Sequence, residues 1–365
     1  MNRIVLDDIA SAADLFPFTL TRSVLDIRLG ILTIREKWER FSGFPPVLRS
    51  AGPGFSGFRL PLTLIPDSRL AAILREGAME RDLRDYADAA DRISRPWDLF
   101  RLNARAIRAD FELLTKGRLS APIPPSNQFE HPENIFLEPG ARVSCSVLNA
   151  SDGPIYIGRD AEIMEGSLIR GPFALCEGAV VKMGSKIYGA TTVGPFSTVG
   201  GEIKNSVILG YSNKGHDGYL GDSVIGEWCN LGAGTSNSNL KNNASDTRVW
   251  QPLAEEPSKE GPAREGVMEG EYVNAGMKCG LLMGDYSRCA INTSFTTGSV
   301  VGVCCNIFGE SRPPKYVPSF TWGHDGSVRY RFETALRDIA NWKRLKNHVP
   351  AEEEIQVLKH IFDRL

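Results

Sequence analysis

Ile157, Ile163, Ile169, Leu175, Val181, Ile187, Val193 and Val199 stand six residues apart, eight apolar positions in unbroken succession. A period of six fits neither an amphipathic helix nor an alternating strand. It fits a triangular β-solenoid, in which each six-residue unit makes one short strand and one turn and points its apolar anchor inward. Three units close a coil, and coils stack at about 4.8 Å. A second run, Met277, Met283, Cys289, Phe295, Val301 and Ile307, keeps the same spacing. Two stretches interrupt the count: Gly210–Gly221 is expected to bulge out, and residues 236–270 to form a long polar excursion. Loops hung on a rigid solenoid are where ligands usually bind.

Glycine usage divides the 365 residues. Residues 1–129 hold 7 glycines and residues 130–325 hold 28. Before the repeat, Ile4–Leu6 reads as a strand, and Ser68–Gly77 and Pro96–Leu114 read as helices. After it, Leu336, Ile339, Trp342 and Leu345 recur at helical spacing, and Pro350 separates a second helix over Ala351–Leu365. The proline-rich stretch 120–126 reads as a stiff linker. The expected organisation is therefore a small α/β domain over residues 1–119, a linker over 120–130, a mainly β solenoid over 131–325 with its insertion at about 236–270, and C-terminal helices over 326–365.

Several function classes are excluded by composition. Forty-two basic and 44 acidic residues leave a net charge of −2, without the basic excess of a nucleic-acid binder. No apolar run reaches 18 residues, so no membrane span is expected. The acidic start MNRIVLDDIA is not a secretory signal. Seven cysteines without a C-x-x-C argue for reduced thiols filling the core, and so for a cytoplasmic protein.

Polar chemistry concentrates in residues 201–241, where Lys204, His216, Tyr219, Asn230 and Asn239 occur together. A histidine in a glycine-flanked loop suits general-base work near neutral pH. Lysines nearby suit phosphate. A zinc site is not expected, because His131, His216 and His324 lie far apart in the sequence.

The run EIKNSVILGYSNKGHDGYLGD from Glu202 to Asp222, followed by VIGEWCNLGAGT to Thr235, resembles the acetyltransferase domain of the GlmU family. These are bifunctional N-acetylglucosamine-1-phosphate uridyltransferase/glucosamine-1-phosphate acetyltransferases. Further motifs starting at Ile187, Gly200, Ser212, Gly226, Ser238 and Phe320 are similar to a bacterial group of sugar nucleotidyltransferases of that family. The resemblance implies a left-handed parallel β-helix and a homotrimer with sites between neighbouring helices. It implies His216 as the base acting on a sugar 2-amine, with acetyl-CoA or another acyl-CoA as co-substrate. Lys186, Lys204 and Tyr219 would hold phosphate, Asn230 the sugar, and Asn239 the region of amine and thioester. Backbone N–H groups of Gly232, Ala233 and Gly234 would face the oxyanion. Lys186 replaces a family arginine and loses its bidentate fork. Leu240 replaces the tyrosine of the acyl pocket.

The N-terminal segment resembles a reduced nucleotidyltransferase. Pro17–Arg22 is similar to the family's P-L-T-L-T-R-P, and Arg95–Asn103 to the helix that leads into the β-helix. Asp7–Leu15, however, lacks the glycines that let a loop cradle phosphate. Arg22 and Lys37 are the candidate nucleotide contacts, and Asp7, Asp8 and Asp67 the candidate acids for Mg2+, which is required only if nucleotidyl transfer occurs. Three functions are thus expected in order. The first is an acyl-CoA-dependent N-acyltransferase acting on a phosphorylated or nucleotide-linked amino sugar. The second is a sugar-1-phosphate nucleotidyltransferase, and the third a non-catalytic trimer that binds sugar nucleotides.

Overall fold

The computed structural model describes residues 3–7, 15–43, 46–48, 57–61, 63–76, 79–253 and 269–365. It is a parallel β-solenoid with a small N-terminal α/β region on its side and two helices at its C-terminal end. Three stacked sheets form the solenoid's faces among the described residues. Face 1 has nine strands, from Ile135–Leu137 to Tyr316–Val317; face 2 has eight, from Arg142–Val143 to Asn306–Ile307; face 3 has six, from Gln128–Glu130 to Tyr219–Gly221. All pairings on these faces are parallel, as between Ile155–Ile157 and Phe173–Leu175.

The eight anchors explain the fold. Each is the inward residue of its strand, and none is more than 2% exposed. The second run continues the interior through Met283, Cys289, Phe295, Val301 and Ile307, but Met277 is 51% exposed and lies outside it.

The expected bulge at Gly210–Gly221 does not exist. The segment runs through the solenoid as strands Asn213–Lys214 and Tyr219–Gly221. The six-residue count fails because corners shorten. Gly200–Gly201 turns the chain in the space of two residues, with Gly201 at φ +76°, and Asn205 and Asp222 turn at φ 46° and 48°. A Cβ on Gly201 would lie 2.9 Å from the His216 and Gly218 carbonyl oxygens of the coil above, so only glycine fits this left-handed corner. The interior also accepts a lysine here: Lys214 takes an anchor position beside Val199 and is 1% exposed.

The N-terminal region places Arg3–Asp7 between Val47–Leu48 and Gly57–Pro61 in a parallel sheet. Its helices are α1 (Ile34–Ser42), α2 (Ser68–Arg75), α3 (Glu80–Ala89) and α4 (Asp98–Thr115). The sequence reading missed α1 and α3. Helix α1 opens with a capping box between Thr33 and Glu36 and ends at Gly43. Helix α4 seats the region on face 1: Asn103 donates to the Ala190 carbonyl oxygen and accepts from Thr192 and the Gly30 N–H.

One apolar cluster joins Leu6, Trp38 and Phe100 to Val207, Val224 and Val300 of the solenoid, so the two parts share a core. The excursion after face 3 contributes to it. Its strands Arg248–Pro252 and Gly270–Asn274 form a hairpin, and Trp250 packs between Phe16 and Tyr316. The distal half of the excursion, residues 254–268, lies outside the described residues.

Helices α5 (Phe332–Arg344) and α6 (Glu352–Asp363) pack along one corner of the solenoid, against Trp228, Tyr286, Cys304 and Phe320. All four are corner residues with left-handed φ, which turns their side chains outward into one column. The seven cysteines are free thiols; six are buried.

Candidate functional site

Face 3 carries the polar cluster. Parallel register aligns Lys186 with Glu202 and Glu202 with Tyr219, so Lys186 and Tyr219 lie two strands apart in one outward column. Lys204 is aligned with Gly221. Gly221 leaves the space that Tyr219 uses: a Cβ there would sit 2.1 Å from the tyrosine hydroxyl. That hydroxyl stands beside Asn239. Burial, with the charges of Asp222 and Glu202, pushes its pKa up to about 12, so it is a neutral donor at physiological pH.

Asp222 holds this end of the face together. Its side chain turns through a left-handed corner and is buried, and its carboxylate accepts from the amides of both Asn205 and Asn239. Asn237 completes the edge of face 3: its Oδ1 accepts from the Gly221 N–H at 3.0 Å, and its Nδ2 donates to the Gly221 carbonyl at 3.1 Å. Asp222 and Asn205 were not singled out from the sequence. Their one sequence signal is placement at short corners next to the Lys204–Tyr219 motif.

His216 occupies the preceding corner, between faces 2 and 3. It is exposed, and its imidazole makes no hydrogen bond or ion pair among the described residues. Its backbone is fixed from inside the solenoid, where Lys214 Nζ donates to the His216 carbonyl at 2.5 Å and to the Gly200 carbonyl at 3.2 Å. Burial depresses Lys214 to about 8, against the opposing charge of Asp217.

The next coil stacks Gly232–Thr235 over this corner, with the Gly234 N–H donating to the Asp217 carbonyl at 3.0 Å. The Gly232 N–H is engaged by Cys289 O, which leaves Ala233 as the one uncommitted N–H of the three among the described residues. The expectation of a three-donor oxyanion site narrows to Ala233, because stacking spends the other two.

Asn230 is half-buried on face 2, between Asn213 and Arg288, so one chain does not bring it onto the face that holds Tyr219 and Lys204. Leu240 is 38% exposed next to Asn239.

The two nucleotide candidates are engaged elsewhere. Arg22 makes ion pairs with Asp285 and with Glu227, the latter at 3.0 Å. Burial alone would lower its pKa, but Asp285 and Glu227 outweigh burial and raise it. Lys37 is 1% exposed and paired with Asp110, whose other oxygen accepts from the Ile31 and Leu32 N–H groups. Burial lowers Lys37 and raises Asp110, in each case against the attraction of its partner. Both cations are thus committed to carboxylates, and the cavity that Arg22 lines is otherwise acidic, with Asp26, Glu227, Asp285 and Glu354.

Of the candidate acids, Asp67 N-caps α2 and pairs with Arg69. The Asp7 side chain and Asp8 lie outside the described residues. Among the described residues, no three His, Cys, Asp or Glu side chains are grouped as metal ligands. None of their helices is long and apolar enough to cross a membrane.

A parallel β-solenoid joined to an α/β region defines a class that comparison with known proteins makes specific. Residues 3–48 and 59–119 match the sugar nucleotidyl transferase family. The chain is 30% identical over 159 residues to the bifunctional sugar-1-phosphate nucleotidylyltransferase/acetyltransferase of Sulfurisphaera tokodaii, covering 43% of this chain and 35% of that protein. It is 32% identical over 133 residues to the bifunctional protein GlmU of Thermus thermophilus, covering 30% of this chain and 29% of that protein. It is 31% identical over 106 residues to the GlmU of Methanocaldococcus jannaschii, covering 29% and 22%. The matches thus span about a third or less of the length of these relatives.

Proposed function

We propose that the protein is an acyl-CoA-dependent N-acyltransferase whose acceptor is a phosphorylated or nucleotide-linked amino sugar. The observation that carries this reading is the face-3 cluster of Lys204, Tyr219, Asp222 and Asn239 beside the exposed, uncommitted His216. Similarity to bifunctional nucleotidylyltransferase/acetyltransferases supports it.

In this reading Lys204, Lys186 and the Tyr219 hydroxyl bind the phosphate of the sugar. His216 takes a proton from the sugar amine as the nitrogen attacks the thioester carbonyl carbon. The C–N bond forms, the C–S bond breaks, and the departing CoA sulfur takes up the proton. The Ala233 N–H stabilises the oxyanion. Asn239, oriented by Asp222, positions the amine. Asn230, on face 2, serves a site completed by a neighbouring copy, which favours a homotrimer with sites between subunits. The cytoplasm, where acyl-CoA and sugar phosphates are found, is the expected compartment.

The test is thiol release from acetyl-CoA with a panel of glucosamine 1-phosphate and nucleotide-linked amino sugars. Sugar-dependent release, absent in His216→Ala, supports the reading; full activity in that variant refutes the base assignment. Nucleotidyl transfer is the second reading, and the match over residues 3–48 and 59–119 favours it. Mg2+-dependent pyrophosphate release from a nucleoside triphosphate and a sugar 1-phosphate would support it. The pairing of Arg22 and Lys37 speaks for a binding or scaffolding part instead.

A further inference from the structure

A polar cavity lies at the corner between faces 1 and 2, away from the face-3 cluster. It opens between face 1 of the early coils and the N-terminal region, and measures about 660 Å³. Small-molecule sites commonly fall within about 300–1,000 Å³. Its walls come from four sources: the Arg28–Leu32 hairpin, α1, the C-terminal end of α4, and the corners around Arg159 and Glu177.

The charge of this cavity is unbalanced. Arg118 is held by a bidentate pair with Glu138, at 2.8 and 2.6 Å, and lies over the Phe136 ring. Tyr156 donates to the same Glu138, so the carboxylate is saturated. Arg28 is turned toward the Ile31 carbonyl and Glu36. Arg40, Lys116 and Arg159 have no ion pair among the described residues, and all three are exposed at the cavity. Glu177 is the one carboxylate there without a cation partner. Three free cations against one free carboxylate leave a local excess of two positive charges, converging from α1, α4 and the solenoid.

We propose that this cleft binds a small diphosphate-bearing ligand, with Arg40, Lys116 and Arg159 on the phosphates and the immobilised Arg118 as a preorganised donor. Like charges gathered from separate elements repel one another, and a diphosphate relieves that repulsion. Guanidinium groups also match phosphate oxygens in geometry. The N-terminal cations expected from the sequence to contact a nucleotide, Arg22 and Lys37, are consumed in buried pairs. Arg40 and Lys116 of the N-terminal region instead present free positive charge to this junction with the solenoid. A ligand here would bridge the two parts without touching face 3.

The experiment is calorimetric titration of the full chain with inorganic pyrophosphate, a nucleoside diphosphate and inorganic phosphate, each at constant ionic strength. The face-3 variant Lys204→Ala, alone and with Lys116→Ser/Arg159→Ser added, is titrated alongside, and thermal melting confirms that all are folded. The expected result is saturable binding of pyrophosphate that persists in Lys204→Ala, where the face-3 phosphate contact is removed, and is weakened about tenfold or more when Lys116→Ser/Arg159→Ser is added to that variant. Tighter binding of the nucleoside diphosphate than of pyrophosphate would identify the source as a nucleotide, and equal binding would identify the diphosphate group alone. The proposal is overturned if pyrophosphate shows no saturable binding at millimolar concentration. It is equally overturned if binding in Lys204→Ala survives addition of Lys116→Ser/Arg159→Ser at undiminished affinity, or is lost in Lys204→Ala alone, which would move the anion to face 3.

Discussion

Asn239 donates its side-chain amide to the carboxylate of Asp222, a buried residue one coil earlier in the solenoid. The other carboxylate oxygen accepts from Asn205, so a single side chain ties two corners and the chain leaving face 3. Asp222→Ala would leave both amides unpaired and free Asn239 to turn. Misplacing a reacting partner by about 1 Å costs on the order of 10²-fold. A drop of that order is expected in kcat for thiol release, with a smaller change in KM. Asp222→Asn, which preserves size, should retain more activity than Asp222→Ala. Equal kcat in all three proteins would remove Asp222 from the site.

The His216 imidazole makes no hydrogen bond among the described residues. His216→Ala is therefore expected to leave the melting temperature unchanged while lowering kcat by about 10²–10⁴-fold, the usual contribution of a general base. Thermal melting and steady-state thiol release on the same preparation separate the two effects.

Gly221→Ala should act through Tyr219. The added methyl meets the tyrosine hydroxyl and forces the ring off its strand. The expected outcome is a raised KM for the sugar phosphate, comparable to that of Tyr219→Phe. A Gly221→Ala enzyme with wild-type KM would contradict the placement.

Lys214 predicts a pH dependence of stability. Its pKa falls to about 8 in the folded protein because burial disfavours the cation, against about 10.4 in the unfolded chain. Between these values the unfolded state binds more protons, so stability rises with pH across that window. The gain is fully present above the unfolded value and is lost as pH falls through about 8. Compared with Lys214→Met, the wild-type protein should gain up to about 1.4 kcal/mol per pH unit in that window and none below it. Denaturant unfolding of both proteins from neutral to alkaline pH measures the difference.

Arg22 joins the N-terminal region to the solenoid through Asp285, whose side chain is 1% exposed. Removing one member of a buried pair leaves an uncompensated charge and costs about 3–5 kcal/mol. Arg22→Ala should therefore lower the unfolding midpoint and speed proteolysis of the N-terminal region. Proteolysis at the wild-type rate would show that Arg22 is not the tie.

The solenoid was readable because its determinant is local. Each anchor from Ile157 to Val199 needs only its neighbours six residues away to declare an inward position, and all eight are buried. The Lys204–His216–Tyr219 set was legible through the resemblance to the GlmU acetyltransferase domain, because outward polar residues carry no period of their own. The false bulge at Gly210–Gly221 arose where shortened corners and the inward Lys214 broke the period without breaking the stack. Helix α1 had a readable start in Thr33 and Glu36, yet its fate depended on burying Lys37 against Asp110.

Periodicity, then, was enough to specify the coil and most of its inward residues, because strand alternation and turn geometry act over a few residues. Only the folded chain decided that Arg22 meets Asp285 and Lys37 meets Asp110, that two of three candidate oxyanion donors are spent in stacking, and that Asp222 orients Asn239. Those choices depend on which coil lies above which and on what covers face 1. Charges and hydrogen-bond donors are assigned to partners by proximity in space, and burial then makes each pairing costly to leave.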